Sequence, residues 1–293
     1  MVKRLKELIE DTIKKYEVNS DKKGITGVQS GFKRLDELTY GWQPGNLIII
    51  AGRPGMGTFA FVKSMIRNTA VDYNKAVALF SLAMSTDNLI SQMILSETGI
   101  RPNNLRRGRF QTHEWEILNN DLDNLSNAPI YIDDTPSLSI SDLKIRASKL
   151  VEEENVKLIV INNLQLMTIK SSSTISRKEE INTISRNLKN LAKELNIPII
   201  ALSELTNTVE TRGGSKRPLL SDLRELGTIE QNADLVAFIY RPEYYGMKEW
   251  DDEDGTPCEG QGDIIVSKNR NGMLNNIRMK FYAHLAMYSD LRL

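Results

Sequence analysis

Residues 47–59 read Leu47-Ile48-Ile49-Ile50-Ala51-Gly52-Arg53-Pro54-Gly55-Met56-Gly57-Thr58-Phe59, an apolar strand candidate that runs straight into closely spaced glycines. Gly52 and Gly57 have the G-x-x-x-x-G spacing of a phosphate-cradling loop, and the helical segment that such a loop requires follows at 58–72. Glycines let successive backbone N–H groups converge on an anion, and the helix N-terminus adds the positive end of its dipole. A working loop continues with Lys, which reaches the β- and γ-phosphates, and then with Ser or Thr, whose hydroxyl holds Mg²⁺. Here those two positions are Thr58 and Phe59, a neutral hydroxyl and an apolar ring. Taken alone, the stretch reads as well as a glycine-rich turn without a ligand as it does as an anion cradle.

Outward from this loop, short apolar runs alternate with helical periodicity from about residue 25 to the end. Strand candidates are Leu47–Ala51, Ala76–Leu82, Pro129–Asp133, Lys157–Ile161, Ile197–Leu202, Leu235–Tyr240, Asp263–Val266 and Ile277–Phe281. Helix candidates lie at 58–72, 86–98, 112–126, 139–154 and 177–195. The alternation predicts an α/β fold with a mostly parallel sheet covered on both faces. The last two strands, joined through Asn271-Gly272, read as an antiparallel hairpin closing one edge. Ser171–Ser173, Arg212–Pro218 and the acidic Trp250–Gly262 read as loops.

Ahead of this domain, residues 2–18 form an amphipathic helix candidate with Leu5, Leu8, Ile9, Ile13 and Tyr16 on one stripe, followed by the polar Asn19–Gly24. We divide the chain into a linker helix and linker at 1–24 and one domain at 25–293. The apolar stripe needs a cover, either the chain's own core or a neighbouring subunit.

Composition narrows the function classes. Lys+Arg and Asp+Glu are both 38, so a nucleic-acid contact must come from a local patch rather than from a wholly basic chain. The single cysteine, Cys258, excludes an internal disulfide and a cysteine-only metal cluster, and fits a reducing compartment. The N-terminus carries acids through its apolar pattern, unlike a secretory signal, and no apolar run approaches the ~18 residues that span a bilayer. These features predict a soluble, cytoplasmic protein without membrane contact. His113 and His284 have no carboxylate or cysteine at ligand spacing, so no metal site is expected. Asp251–Gly255 and the cluster Arg101, Arg106, Arg107 and Arg109 read as solvated surface.

The order of segments resembles the C-terminal motor domain of DnaB-type hexameric replicative helicases, a RecA-like P-loop ATPase fold. The stretches that carry the resemblance include Gly24–Phe32 with Leu35-Asp36, Gln43–Ala51, Pro129–Pro136, Leu164–Met167 and Lys216-Arg217-Pro218 with Ser221–Arg224. Ile229-Glu230-Gln231 and Lys268–Gly272 continue it, so it covers essentially the whole chain. Residues 2–18 look like the family's linker helix, which packs on the adjacent subunit, and the family's N-terminal primase-interacting domain has no counterpart here.

What the resemblance implies for this chain's own ATP site is uniform loss. The Walker A lysine and threonine fall on Thr58 and Phe59; the glutamate that activates water falls on Ala83; the Walker B aspartate falls on Asn162; the sensor glutamine falls on Glu204, with a nearby family arginine at Asn207. No catalytic residue is retained. The backbone cradle of Gly52, Arg53, Pro54, Gly55, Gly57 and Thr58 would give weak ATP or ADP binding, and Mg²⁺ lacks a protein anchor. Groups that act outside this subunit's site survive. Lys268 and Arg270 match the family's K-x-R finger, which reaches the next subunit's γ-phosphate; a plain reading is two cations guarding an edge hairpin. Arg224, Glu225 and Gly227 resemble the loop that holds the single-strand phosphate backbone, though Leu226 departs from the pattern and a solvated turn is the plain alternative.

These expectations describe a pseudo-ATPase of DNA replication that forms a homo-oligomer or a mixed ring with a DnaB-type helicase and contacts single-stranded DNA. Two other readings stay open: an active ATP-dependent 5'-3' DNA helicase with an atypical nucleotide site, and a non-enzymatic single-stranded-DNA-binding scaffold.

Overall fold

The computed structural model of the protein describes residues 4–7, 9, 10, 13, 24–100, 102–108, 110–170, 175–224, 227–252 and 255–291. Its strands are β1 (Leu47–Gly52), β2 (Val77–Ser81), β3 (Ile130–Asp133), β4 (Leu158–Asn162), β5 (Ile199–Glu204), β6 (Leu235–Tyr240), β7 (Gln261–Asn269), β8 (Asn275–Tyr282) and β9 (Met287–Asp290). They form one nine-stranded sheet in the order β3-β2-β4-β5-β1-β6-β7-β8-β9. Neighbours from β3 to β6 pair in parallel, and β7, β8 and β9 extend the sheet antiparallel. The α/β architecture read from the sequence is the one observed.

β1, β2, β4 and β6 are buried at every position, as continuous Ile, Leu, Val and Ala runs must be when helices cover both faces. On one face, Leu143 and Ala147 of the helix Ile140–Glu154 and Ile184 and Leu188 of the helix Arg177–Leu195 pack with Ile49, Phe80 and Ile161. On the other, Phe61 and Met65 of the helix Thr58–Arg67 and Leu89 and Met93 of the helix Thr86–Thr98 pack with Ile48, Ile50, Leu79 and Val160. The helix Arg177–Leu195 starts at a reciprocal capping box between Ser176 and Glu179 and stops where Asn196 turns left-handed.

Three expectations need correction. The helix read over 58–72 is α-helical only to Arg67 and ends as a π-turn over Asn68–Asp72, and the one read over 112–126 breaks into Thr112–Asp121 and Asp123–Ser126. The C-terminal hairpin is longer than read and gains a third strand, β9. The acidic loop is not freely solvated: Asp251 and Asp252 pair with Arg217, which also reaches the fully buried Asp263, while Trp250 is buried. Of the N-terminal arm, whose cover was left open, Leu5, Ile9 and Ile13 are helical and 72%, 48% and 49% exposed, so these three side chains are not buried against the chain's own core. Leu8 and Tyr16 lie outside the described residues.

Asp234, just ahead of β6, anchors the entry to β1. Its carboxylate accepts the Leu47 backbone N–H at 2.8 Å and the Lys189 ammonium at 2.5 Å, and it is 5% exposed. Asp234→Ala strands the Leu47 N–H and leaves the Lys189 ammonium only the Gly45 carbonyl at 2.7 Å, and breaking a buried pair in this way costs about 3–5 kcal/mol. We expect urea unfolding to register a loss of that order, with Asp234→Asn, which keeps an acceptor for Leu47, losing less. Equal midpoints for the two variants would contradict the assignment.

Candidate functional site

The carboxyl ends of β1, β4 and β5 meet at a cleft of about 350 Å³, the position at which open α/β sheets take ligands. One wall is the glycine turn. Gly57, at φ 84°, caps the helix Thr58–Arg67, and a Cβ there would fall 3.2 Å from the rings of Phe281 and Tyr288. A Cβ at Gly52 would collide at 2.5 Å with Oγ1 of Thr58, so the Thr58 hydroxyl is folded against the base of the loop. The loop is held by its carbonyls. Tyr288 donates to the Met56 oxygen at 2.9 Å, and Arg241 donates to the Gly55 oxygen at 3.3 Å while stacking 3.9 Å from the Phe281 ring centre. Among the described residues, the N–H groups of Gly55, Gly57, Thr58 and Phe59 have no acceptor. Unpaired N–H groups converging at a helix N-terminus are the donors an anion cradle requires.

Its charge is a different matter. Arg53 lines the cleft, but its guanidinium is committed to Glu210 at 2.9 Å and to the Leu205 carbonyl at 2.6 Å, and the Glu210 hydrogen bond raises its already high pKa. Lys63 does not replace the missing lysine. Its amine donates to the Gln92 carbonyl, the Ser96 hydroxyl and, at 3.4 Å, the Leu285 carbonyl, and burial pulls its pKa down to about 8. Glu204, the last residue of β5, lies level with Gly52 and is exposed in the cleft. Among the described residues its carboxylate meets no cation, only the Asn163 amide at 3.4 Å.

Of the remaining positions, Asn162 lines the cleft, whereas Ala83 and Asn207 are not among its lining residues. Asn162 ends β4 and is 7% exposed; its carbonyl accepts the N–H groups of Leu82 at 2.6 Å and Ala83 at 3.2 Å. Ala83 thus stands at the rim beside Asn162. Oδ1 of Asn163 is buried without a partner. Gln165 spans from Ser203 at 3.0 Å to the Glu204 carbonyl at 2.9 Å. Reading the sequence did not find Met84, Gln92, Ser203, Phe281 and Ala286, which also line the cleft. Phe281 was assigned to a strand, but the turn after it, which β9 folds back onto the loop, carried no signal.

Lys268 and Arg270 are not near this cleft. Lys268 pairs with Val236 of β6 whereas Gly52 pairs with Ile239, so Lys268 and Arg270 lie roughly 10 Å or more down the strand direction, toward the opposite rim. Lys268 donates to the Glu230 carbonyl, and burial with Arg270 alongside lowers its pKa. Arg270 bonds the Gln231 carbonyl at 2.8 Å and Asp234 at 3.3 Å. Arg224 projects into solvent and pairs with Glu230 at 3.2 Å, and Gly227, at φ 126°, turns the chain against Asn182; Glu225 and Leu226 lie outside the described residues. Of the basic cluster at 101–109, Arg101 and Arg109 also lie outside them. Among the described residues, no group of three or more His, Cys, Asp or Glu side chains could hold a metal, and no helix is long and apolar enough to cross a membrane.

Comparison with known proteins accounts for this arrangement. Residues 27–290 match the DnaB-like helicase C terminal domain. The chain belongs to that family. It is 42% identical over 290 residues to the replicative DNA helicase DnaB of Geobacillus stearothermophilus and 39% identical over 288 residues to the replicative DNA helicase DnaC of Bacillus subtilis (strain 168). Those alignments take in 99% and 98% of this chain but 62% of either relative, so the chain spans under two thirds of their length. A solved ATPase domain superposes with a TM-score of 0.88 at 32% identity, covering all of both chains. A DnaB-like replicative helicase, solved in a study of its interactions with primase, gives 0.84 at 32% identity, covering all of this chain and 68% of that one. The DnaB-like domain thus fixes the frame of the cleft.

Lys63 supplies a test of this local electrostatic reading. An unfolded lysine keeps its proton to about 10.4, whereas the folded one yields it near 8. Between those values the unfolded state binds more protons, so this group makes stability rise with pH across that window. Lys63→Met should raise stability at pH 7 by on the order of 1–3 kcal/mol and remove that part of the rise. Parallel stability–pH curves for wild type and variant would contradict the burial of a charged amine.

Proposed function

We propose that this chain is a catalytically silent DnaB-type ATPase domain that acts in DNA replication through assembly, either with copies of itself or with an active DnaB-type helicase. One observation carries the reading: the anion cradle is intact while the cleft's one uncompensated charge among the described residues is a carboxylate, Glu204. Phosphoryl transfer is almost all positioning and neutralisation of negative charge. A charged hydrogen bond to a phosphate contributes roughly 1.5–3 kcal/mol, and Thr58 has no charge to give. A general base contributes roughly 10²–10⁴-fold, and Ala83 has no group for that work. For Mg²⁺, the family's hydroxyl and carboxylate positions hold the Phe59 ring and the Asn162 amide, so the residues present do not fit the ion, and no step is routed through it. The effects are not additive, but all have one sign.

The outward-facing parts support the assembly half of the reading. Leu5, Ile9 and Ile13 offer an exposed apolar stripe that suits a neighbouring subunit, and Lys268 and Arg270 lie on the rim away from the chain's own cleft. In a mixed assembly the finger would serve a partner's triphosphate, a contact worth 10³–10⁵ in rate in phosphoryl-transfer enzymes. Arg224 and Gly227 would meet single-stranded phosphate without reading sequence.

The deciding assay is steady-state ATP turnover with and without single-stranded DNA. We expect none above background, and none after restoring Lys at 58, Thr at 59, Glu at 83 or Asp at 162 singly. DNA-stimulated turnover by the wild-type chain would overturn the reading in favour of a working helicase motor. For assembly, titration into an active DnaB-type helicase from the same cell should change that enzyme's turnover, and Lys268→Ala with Arg270→Ala should alter the change. No complex and an untouched rate at saturating protein would reject the mixed assembly.

A further inference from the structure

Beside the loop of Arg224 and Gly227, a row of polar side chains runs along the helix Arg177–Leu195. Lys178, Asn182 and Arg186 stand four residues apart, on one flank of that helix. Asn182 joins the row to the loop. Its Oδ1 accepts the Thr228 backbone N–H at 2.5 Å, and a Cβ on Gly227 would run into the same oxygen. Ser185, less than one turn on, accepts the Asn232 amide at 2.8 Å, so helix and loop segment are joined at two points. Because the amide oxygen must face the Thr228 N–H, the orientation of Asn182 is set. Its Nδ2 keeps two donors and meets no acceptor among the described residues. The cations on either side are also free. Lys178 and Arg186 are exposed and make no ion pair among the described residues. The helix's own acids are engaged elsewhere: Glu179 in the capping box, Glu180 with Arg177 and Glu194 with Lys144. Each step along the row rises about 6 Å, comparable with the step between phosphates of an extended strand. A cation, a neutral donor and a second cation, with no competing carboxylate, complement a polyanion.

We propose that Lys178, Asn182 and Arg186 form a second track for the phosphates of single-stranded DNA, leading from the loop along the helix Arg177–Leu195. Lys178 and Arg186 neutralise phosphates. Asn182 has two roles: its carbonyl holds the loop at Thr228, and its amide donates to a phosphate oxygen between the two cations. The proposal rests on the reading that Arg224 and Gly227 meet single-stranded phosphate, and it adds where the strand goes next. Such contact is indifferent to base sequence and sensitive to salt, because each neutralised phosphate releases counterions.

The test is fluorescence anisotropy of a labelled oligothymidylate with the full chain, read from about 50 to about 200 mM KCl. Lys178→Ala with Arg186→Ala should weaken binding roughly tenfold at the low-salt end and flatten the slope of log K against log salt by about 1.4, at about 0.7 for each phosphate given up. Both positions are exposed, so the melting temperature should stay where it is. Asn182→Asp separates binding from support, because it keeps an acceptor for the Thr228 N–H and replaces the free donor by a charge that repels phosphate. It should melt as the wild type does and bind roughly tenfold more weakly. Wild-type binding by Asn182→Asp would reduce Asn182 to a support for the loop and overturn its phosphate contact. Arg224→Ala, measured alongside, separates the track from the loop. Weakened binding by Arg224→Ala with an unchanged salt slope for the Lys178 and Arg186 pair overturns the track alone. Weakened binding by that pair with wild-type binding by Arg224→Ala overturns the loop reading alone.

Discussion

β1 is hydrogen-bonded to parallel strands on both sides, and its register sets Gly52 level with Glu204 of β5 and Ile239 of β6. The rest of the molecule depends on that placement. With β1 central and wholly buried, the chain leaving it turns at once into the helix Thr58–Arg67, and Gly57 makes the turn at φ 84°, a conformation that L side chains rarely adopt, with a Cβ there only 3.2 Å from the rings of Phe281 and Tyr288. The same register keeps the chain's own Lys268 and Arg270 away from the cleft. Asp234 fixes the other end of β1 through the Leu47 N–H.

The forces that shape the glycine loop are separate from those that would make it catalyse. Tyr288 and Arg241 hold its carbonyls, and Phe281 packs against it, none of which involves a phosphate, a metal or the positions 58, 59, 83 and 162. The frame of the loop therefore does not depend on the side chains at those positions, and it superposes on a solved ATPase domain with a TM-score of 0.88. Stability rests on burial and on Asp234, and reactivity on a few side chains at the strand ends. The two can diverge.

Much of the fold was legible in the sequence, because buried strands announce themselves as unbroken apolar runs and the helix Arg177–Leu195 by its periodicity. β9 was missed since Met287–Asp290 is four residues long with one buried side chain, Tyr288, too little for any period to register. The π-turn after Arg67 continues the helical pattern and has no signature of its own. At the site, the positions of Thr58 and Phe59 followed from the glycine spacing, and those of Asn162 and Glu204 from the resemblance to the family. What spacing cannot give is where a long side chain goes. Arg53 sits in the phosphate loop yet turns to Glu210, and Lys63 is spent on three oxygens from the helix Thr86–Thr98 and the turn at Leu285. Both outcomes depend on partners 29 or more residues away in sequence. The acidic loop was misjudged for the same reason, since Arg217 and Arg278 reach it from elsewhere.

The central claim is that the cleft keeps a backbone cradle and lacks the charge that recognises a third phosphate. Calorimetric titration with ADP and with a non-hydrolysable ATP analogue, each with and without Mg²⁺, measures that charge directly. The account predicts weak binding of both nucleotides, with no gain from the γ-phosphate and none from Mg²⁺, because Glu204 opposes the former and Phe59 and Asn162 offer no ligand for the latter. A triphosphate that binds a hundredfold tighter than the diphosphate in a Mg²⁺-dependent way would contradict it.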